Sequence, residues 1–316
     1  MNGRTSRGSG WLPPFAVKGE TMKSVLRCAF WLLLAVPSAA WQKVPVPLEE
    51  QVRSAMEGFS GKVWIYARNL DTGRDYALRA DEKVRTASTI KLPIMAEAFH
   101  QVAEGKLKWT DEIDLTREAR QGGSGVLSEF SDHIRIDLRT AMHLMIVVSD
   151  NTATNLVLDK VKADSVNGFM DSLGLPATRA MRKIGGGGES AAYRDPENRL
   201  FGLGSTTPRE MVKLLEMIER GQVVSREASD EMIAILKRQQ YKEGLGRNMP
   251  DTIPVASKSG ALDRLRSDVG IVYTRRGRIA MAITVDDMGF VGYVVDNPGL
   301  LLIWKLSQIL QDGLGR

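Results

Sequence analysis

The segment from Arg85 to Glu104 constrains this chain most. Beyond Ser88 the apolar residues Ile90, Ile94, Met95 and Ala98 lie along one side of a helix that runs to about Glu104, a stripe that has to be buried against other elements. Such a helix belongs at the centre of the molecule and holds rigidly whatever stands at its start. Ser88 stands there, with Lys91 three residues on, and residues three apart share a helix face. A Lys91 amine desolvated enough to lose its charge can take the Ser88 proton. The helix N-terminus favours the negative charge that then forms. The same pair also arises by chance, with Ser88 capping a helix and Lys91 facing water, so the rest of the chain has to decide.

The N-terminal region reads as a leader. Residues 1 to 21 are polar and show no apolar periodicity, and a second start stands at Met22. Lys23 and Arg27 then precede an apolar run from Cys28 to Val36 that is too short to span a bilayer, and Ser38-Ala39-Ala40 offers a small-residue cleavage site. Residues 1–40 are therefore expected to be an extension and a cleaved signal peptide, with residues 41–316 the mature, periplasmic or secreted protein. Without residues 1–40 the net charge of +5 loses Arg4, Arg7, Lys18, Lys23, Arg27 and Glu20 and falls to +1. The basic balance thus gives no reason to expect a nucleic-acid partner or stable membrane association, and Cys28, the one cysteine, leaves with the leader. The 43% of hydrophobic residues suits a soluble globular chain.

Along the mature chain, Val52, Met56 and Phe59 predict a short helix over residues 48–59, and Lys62–Arg68 and Arg74–Leu78 predict a hairpin turned at Asp71-Thr72-Gly73. Residues 109–132 read as loop, and Gly122-Gly123-Ser124-Gly125 as a turn, since no Gly-Lys-Ser/Thr follows to make a phosphate cradle. Two apolar helices, Asp137–Val148 and Thr152–Lys160, are separated by Ser149-Asp150-Asn151, where Asp150 or Asn151 can cap the second helix. Such a loop can also hold Ser149 and Asn151 beside Ser88. Strands are predicted at Ile253–Ser257, Asp268–Thr274 and Arg278–Val285, followed by a closing helix from Pro298 to Leu310. His100, His133 and His143 do not stand at metal-ligand spacing, so a zinc hydrolase is not expected.

Ser88-Thr89-Ile90-Lys91, Ser149-Asp150-Asn151 and Lys258-Ser259-Gly260 resemble in type and order the three motifs of the class A β-lactamases and penicillin-binding proteins. The context Thr152-Ala153-Thr154-Asn155-Leu156 and the run Thr206-Thr207-Pro208 resemble the class A pattern too, and the likeness spans about residues 47 to 314. The resemblance implies an α+β fold: a five-stranded antiparallel sheet flanked by helices (residues 47–87 and 209–316) with an all-helical lobe inserted (residues 88–208). It implies an exported serine β-lactamase in which Ser88 attacks the lactam carbonyl, Lys91 takes its proton and Ser149 relays a proton to the leaving nitrogen. Asn151 would hold the substrate's side-chain amide. Lys258 and Ser259, with Gly260 beside them, would meet its carboxylate. The N–H groups of Ser88 and Ala261 would form the oxyanion hole. Arg264 and Arg266 are candidates for a further anion contact, set against a reading as surface arginines. The expected partner is a small β-lactam, with no cofactor, no metal and a monomeric chain.

The chain departs from the pattern between Arg179 and Pro208. Class A enzymes carry there a glutamate that activates the deacylating water. Counting without gaps from Thr178-Arg179, that position is Ile184, which is followed by Gly185–Gly188, Glu189 and, further on, Asp195-Pro196-Glu197-Asn198. Glu189 is the expected base, with Glu197 the other acid in view and Asn198 a partner for the water. The doubtful glutamate leaves two alternatives open: a D,D-peptidase or esterase-like serine hydrolase, and a sensor that penicillin acylates without turnover.

Overall fold

The structure is a computed structural model that describes residues 46–315; the extension and leader expected over residues 1–40 lie outside the described residues. In chain order the elements are α1 (Leu48–Met56), β1 (Lys62–Asn69), β2 (Asp75–Leu78), β3 (Val84–Arg85) and α2 (Lys91–Ala103), then β4 (Glu112–Leu115), β5 (Ile134–Asp137), α3 (Leu138–Val147), α4 (Asn151–Val161) and α5 (Ala163–Ser172). They continue as β6 (Arg179–Ala180), α6 (Pro196–Arg199), β7 (Gly204–Thr206), α7 (Pro208–Glu219) and α8 (Arg226–Leu236), and end with β8 (Val255–Leu262), β9 (Leu265–Thr274), β10 (Gly277–Asp286) and α9 (Pro298–Leu314).

The main sheet has the order β2-β1-β10-β9-β8 and is antiparallel throughout. It joins strands from both ends of the chain, and β8 is an edge. Its two faces separate cleanly because side chains alternate along a strand. From β1 and β10, Val63, Ile65, Ala67, Ile279, Met281, Ile283 and Val285 pack with Val52 of α1 and Ile303, Leu306 and Leu310 of α9. The opposite residues Tyr66, Ala280 and Ala282, with Val269 and Ile271 of β9, join a core that continues into α2, α3, α4, α5, α7 and α8. The fold class is α+β, with helices on both faces of the sheet.

Helix α2 is the centre that its apolar stripe requires: every residue from Lys91 to Phe99 is buried. Pro93 costs it no hydrogen bond, because in the first turn the N–H has no partner within the helix. The hairpin at residues 62–78 forms as its sequence suggests, and Asn69 Oδ1 accepts the N–H groups of Asp71 and Thr72 to shape the turn. The stretch 109–132 holds more order than expected, since β4 pairs with β5. Short polar-apolar alternation such as Glu112-Ile113-Asp114-Leu115 is a weak strand signal.

Candidate active site

Ser88 lies in a 3-10 turn, Ala87–Ile90, that runs directly into α2 at Lys91. Thr86 fixes the turn from below. Its N–H and its Oγ1 each donate to the Gly204 carbonyl over 3.0 Å, while its own carbonyl accepts Thr89 Oγ1 at 2.8 Å. Ala87, next to the serine, is held at φ +46, a left-handed conformation that a residue with a Cβ adopts only when its surroundings impose it.

The Lys91 side chain is fully buried. Its Nζ lies 2.6 Å from the Ser149 carbonyl, 3.1 Å from Ser149 Oγ and 3.1 Å from Asn151 Oδ1. Burial first, and then the charge of Lys258, hold this amine well below the usual lysine range, with Asp150 opposing. A neutral amine has two donors and a lone pair. Nζ is the donor in all three contacts, to the Ser149 carbonyl, Ser149 Oγ and Asn151 Oδ1, and in the neutral form its lone pair stays free to take a proton. Lys91 and Ser149 are thus arranged to pass a proton.

Ser149 adopts φ +52 at the break between α3 and α4, and the residue after it explains the break. The Asp150 carboxylate caps α4 by accepting Ala153 N–H at 2.8 Å, and its other oxygen accepts the N–H groups of Val126 and Leu127 at 2.6 and 2.8 Å. Gly125 has to be glycine there, since a Cβ would stand 2.2 Å from Asp150 Oδ2. Asn151 Nδ2 donates to the Gly122 carbonyl at 3.0 Å, and Ser124 Oγ lies 3.3 Å from the Tyr241 hydroxyl. The Gly122–Gly125 turn therefore wraps the Asp150-Asn151 pair, a role for these glycines that the sequence reading did not find.

Strand β8 supplies the opposite wall. A Cβ on Gly260 would stand 2.8 Å from the Thr86 carbonyl and 3.1 Å from Ser88 N, so the strand lies directly against the backbone of the nucleophile turn. Ala261 follows as an exposed residue of the same edge. Lys258 is fully buried and its amine donates to the Ser259 carbonyl at 2.8 Å; burial pushes its pKa down to about 7 against the pull of Asp268. Of the two arginines, Arg264 is exposed and donates to the Met288 carbonyl. Arg266 is no surface residue: it is 2% exposed, its guanidinium donates to the carbonyls of Leu262, Leu265 and Gly292, and it stacks on Tyr293. The sequence hid this because β9 begins at Leu265, three residues earlier than read.

The segment after β6 is organised around Ile184. Asn155, one turn along α4 from Asn151, donates from Nδ2 to the Ile184 carbonyl at 3.0 Å and accepts the Ile184 N–H at 2.9 Å. Ile184 is thereby fixed one helical turn from the Lys91–Asn151 contact. Gly185 to Gly188 follow with positive φ at all four positions, closing a tight turn that leaves Glu189 exposed with its carboxylate accepting the Gly187 N–H at 3.0 Å. Glu197 is exposed, and Asn198 donates to the Ala192 carbonyl within its own loop. Among the described residues, no hydrogen bond joins Glu189, Glu197 or Asn198 to Ser88, Lys91 or Ser149. The structure joins Lys91, Ser149 and Asn151 by hydrogen bonds and sets Gly260 against the Ser88 backbone, while Glu189, Glu197 and Asn198 bond within their own loop segments or face solvent.

Residues 47–314 match the β-lactamase enzyme family. The chain belongs to that family. Within it, the chain is 27% identical over 227 residues to a β-lactamase of Bacillus licheniformis, covering 70% of each protein. It is 24% identical to the β-lactamase regulatory protein BlaB of Streptomyces cacaoi, covering 76% of this chain and 89% of that one. Among solved structures, a β-lactamase from Sphaerobacter thermophilus superposes with a TM-score of 0.74 at 28% identity, covering 85% of this chain and 97% of the other. The clamp of Asn155 on Ile184 is a role that sequence reasoning missed, although Asn155 carried a signal, standing four residues after Asn151 on the same helix face.

Proposed function

We propose that the protein is an exported, class A-type serine β-lactamase that opens its substrate through a Ser88 ester. The reading is carried by one observation: a buried, neutral-leaning Lys91 amine caged by Ser149 and Asn151 in the first turn after Ser88. In the acylation step the Ser88 oxygen bonds to the lactam carbonyl carbon while its proton passes to Lys91 Nζ. The carbonyl oxygen takes up the negative charge before the Ser88 and Ala261 N–H groups. The C–N bond then breaks, and the ring nitrogen receives its proton from the Ser149 hydroxyl, which Lys91 replenishes. Asn151 holds the substrate's side-chain amide, and Lys258 and Ser259 hold its carboxylate. In the second step water attacks the ester and returns the Ser88 proton. Assigning that base to Glu189, with Asn198 on the water, requires the Gly185–Gly188 turn to carry Glu189 in from solvent. The substrate is a small β-lactam, the chain acts as a monomer, and residues 1–40 direct it to the periplasm or medium.

A second reading is favoured by Ile184. With an aliphatic side chain fixed where the family's pattern puts a glutamate, the ester survives, and the chain is a penicillin-acylated hydrolase or sensor. The resemblance to a regulatory protein supports it. Intact-mass spectrometry of the protein mixed with benzylpenicillin, with the free drug followed in parallel, separates the two. Catalytic loss of drug with a transient adduct on Ser88 supports the β-lactamase. A stoichiometric, lasting adduct supports the second reading. An unmodified Ser88 and surviving drug refute both.

A further inference from the structure

Helix α3 ends against two other parts of the chain, and both reach toward the peptide that leads into Ser149. A helix leaves its last four carbonyls without partners of its own. Here Leu144 takes the Asp150 N–H over 3.0 Å, Ile146 takes Gln239 Nε2 at 2.9 Å and Val147 takes the Gln240 N–H at 3.0 Å. The Val148 carbonyl comes next, and Ser124 Oγ donates to it at 3.2 Å. A serine hydroxyl has one hydrogen. With that hydrogen on Val148, it is the Tyr241 hydroxyl that donates across the 3.3 Å to Ser124 Oγ. Both partners are anchored by their backbones. The Ser124 carbonyl accepts the Asn151 N–H at 2.9 Å, and the buried Gln239 side chain accepts the Tyr241 N–H on Oε1 at 3.0 Å.

The Val148 carbonyl and the Ser149 N–H belong to one planar peptide unit. Whatever holds that carbonyl therefore fixes the plane from which the φ of Ser149 turns. Ser149 stands at φ +52, where a residue with a Cβ stays only if its surroundings impose it. The peptide after it is held as well, since the Ser149 carbonyl accepts Lys91 Nζ at 2.6 Å. With both neighbouring peptides held, Ser149 Oγ is placed 3.1 Å from that amine. The two hydroxyl contacts, at 3.2 and 3.3 Å, are longer than those of Gln239, Gln240 and Asp150. They are the part of the cap that a substitution releases while the other three still hold the end of α3.

We propose that Ser124 and Tyr241 are positioning residues for Ser149: acting through the Val148 carbonyl, their hydroxyl pair holds Ser149 in the backbone conformation that sets its Oγ beside Lys91. The kinetic consequence rests on the reading of Ser149 as the proton donor to the leaving nitrogen; the hold on the backbone does not. The test compares Ser124→Ala, Tyr241→Phe and Ser124→Thr with the native protein on two acylating compounds. Benzylpenicillin needs a proton on its ring nitrogen as the C–N bond breaks, whereas p-nitrophenyl acetate releases a nitrophenolate that needs none; Ser88→Ala gives the background for both. Ser124→Ala should slow acylation by benzylpenicillin at least about tenfold, part of the about 10²- to 10⁴-fold that a positioned proton donor contributes, and leave the Ser88-dependent nitrophenolate release unchanged. Tyr241→Phe should give a smaller loss of the same kind, and Ser124→Thr, which keeps the hydroxyl, the native rate. Equal losses with the two compounds, or no loss with benzylpenicillin, overturn the proposal. Amide hydrogen exchange decides where a compound does not react: the Asp150 N–H should exchange faster in Ser124→Ala than in the native protein, and equal rates overturn the hold on Ser149. If neither compound acylates the native protein, the acylation reading fails while the exchange result still stands. If Ser124→Ala does not fold, Tyr241→Phe, which removes one hydroxyl and none of the backbone contacts, carries the same comparisons.

Discussion

Asn155 grips the Ile184 backbone from both sides, its Nδ2 on the carbonyl and its Oδ1 on the N–H. Both peptide groups are satisfied by a side chain of α4, so the position of Ile184 does not depend on what its own side chain does. The clamp holds the Ile184 backbone against α4, and the side chain held there has no proton to exchange.

Replacing Ile184 by glutamate should therefore add a base without disturbing the fold. A positioned general base contributes about 10²- to 10⁴-fold, so the Ser88 adduct formed with benzylpenicillin should decay at least about 10²-fold faster than in the native protein. The adduct lifetime by intact-mass spectrometry is the measurement. An unchanged lifetime would mean that the hydrolytic water does not sit near Ile184.

Gly260→Ala tests how closely β8 is set against the nucleophile. The new Cβ would meet the Thr86 carbonyl at 2.8 Å and Ser88 N at 3.1 Å, both of them backbone atoms that cannot swing away. The strand has to retreat, and the Ala261 N–H retreats with it. Loss of one oxyanion donor costs about 2.7–4 kcal/mol of transition-state stabilisation, so acylation should slow by about 10²- to 10³-fold with a much smaller change in melting temperature. Near-native acylation by stopped-flow would remove Ala261 from the oxyanion hole.

The sequence showed the site's chemistry where motif residues also carry the local structure. Asp150 was readable as a helix cap because its type and place before an apolar run suffice, and Ser88 and Lys91 because three-residue spacing fixes a common face. What stayed hidden depends on partners far away in the chain. The buried state of Arg266 depends on carbonyls up to Gly292, the pairing of Asp268 with Leu245 on a loop outside the sheet, and the exposure of Glu189 on the conformation of four glycines. Sequence counting pointed to Ile184, four residues beyond β6, but the Asn155 clamp that holds its backbone left no mark in the count.

Asp150→Ala should unfold the protein readily. One carboxylate satisfies three backbone N–H groups, of Val126, Leu127 and Ala153, and joins α4 to the loop that carries Gly122 and Ser124. A buried donor left unpaired costs about 1–3 kcal/mol, so the loss should be on the order of 3–6 kcal/mol, a large part of the about 5–15 kcal/mol that holds a typical fold. Urea unfolding measures it. A loss below about 1 kcal/mol would mean that water replaces the carboxylate.

Stability should rise between pH 7 and pH 9 because of the buried lysines. Lys258 releases its proton near pH 7 in the folded protein, against 10.5 ordinarily, and Lys91 is shifted in the same direction. Between those values the unfolded chain holds more protons than the folded one, so unfolding becomes less favourable as pH climbs. Each lysine gives up to about 1.4 kcal/mol per pH unit, a gain fully present only near the unfolded value and lost as pH falls toward 7. Asp268 works in a lower window: its pKa is raised to about 7 from 3.8, so its contribution is complete at acid pH and is lost as pH rises to 7, which leaves the range above to the lysines. Urea unfolding at pH 7 and pH 9 should show a gain on the order of 2 kcal/mol or more for the native protein, and Lys258→Met should show a gain smaller by about one proton's share. Equal stabilities at the two pH values would mean that the lysines keep their charges in the folded state.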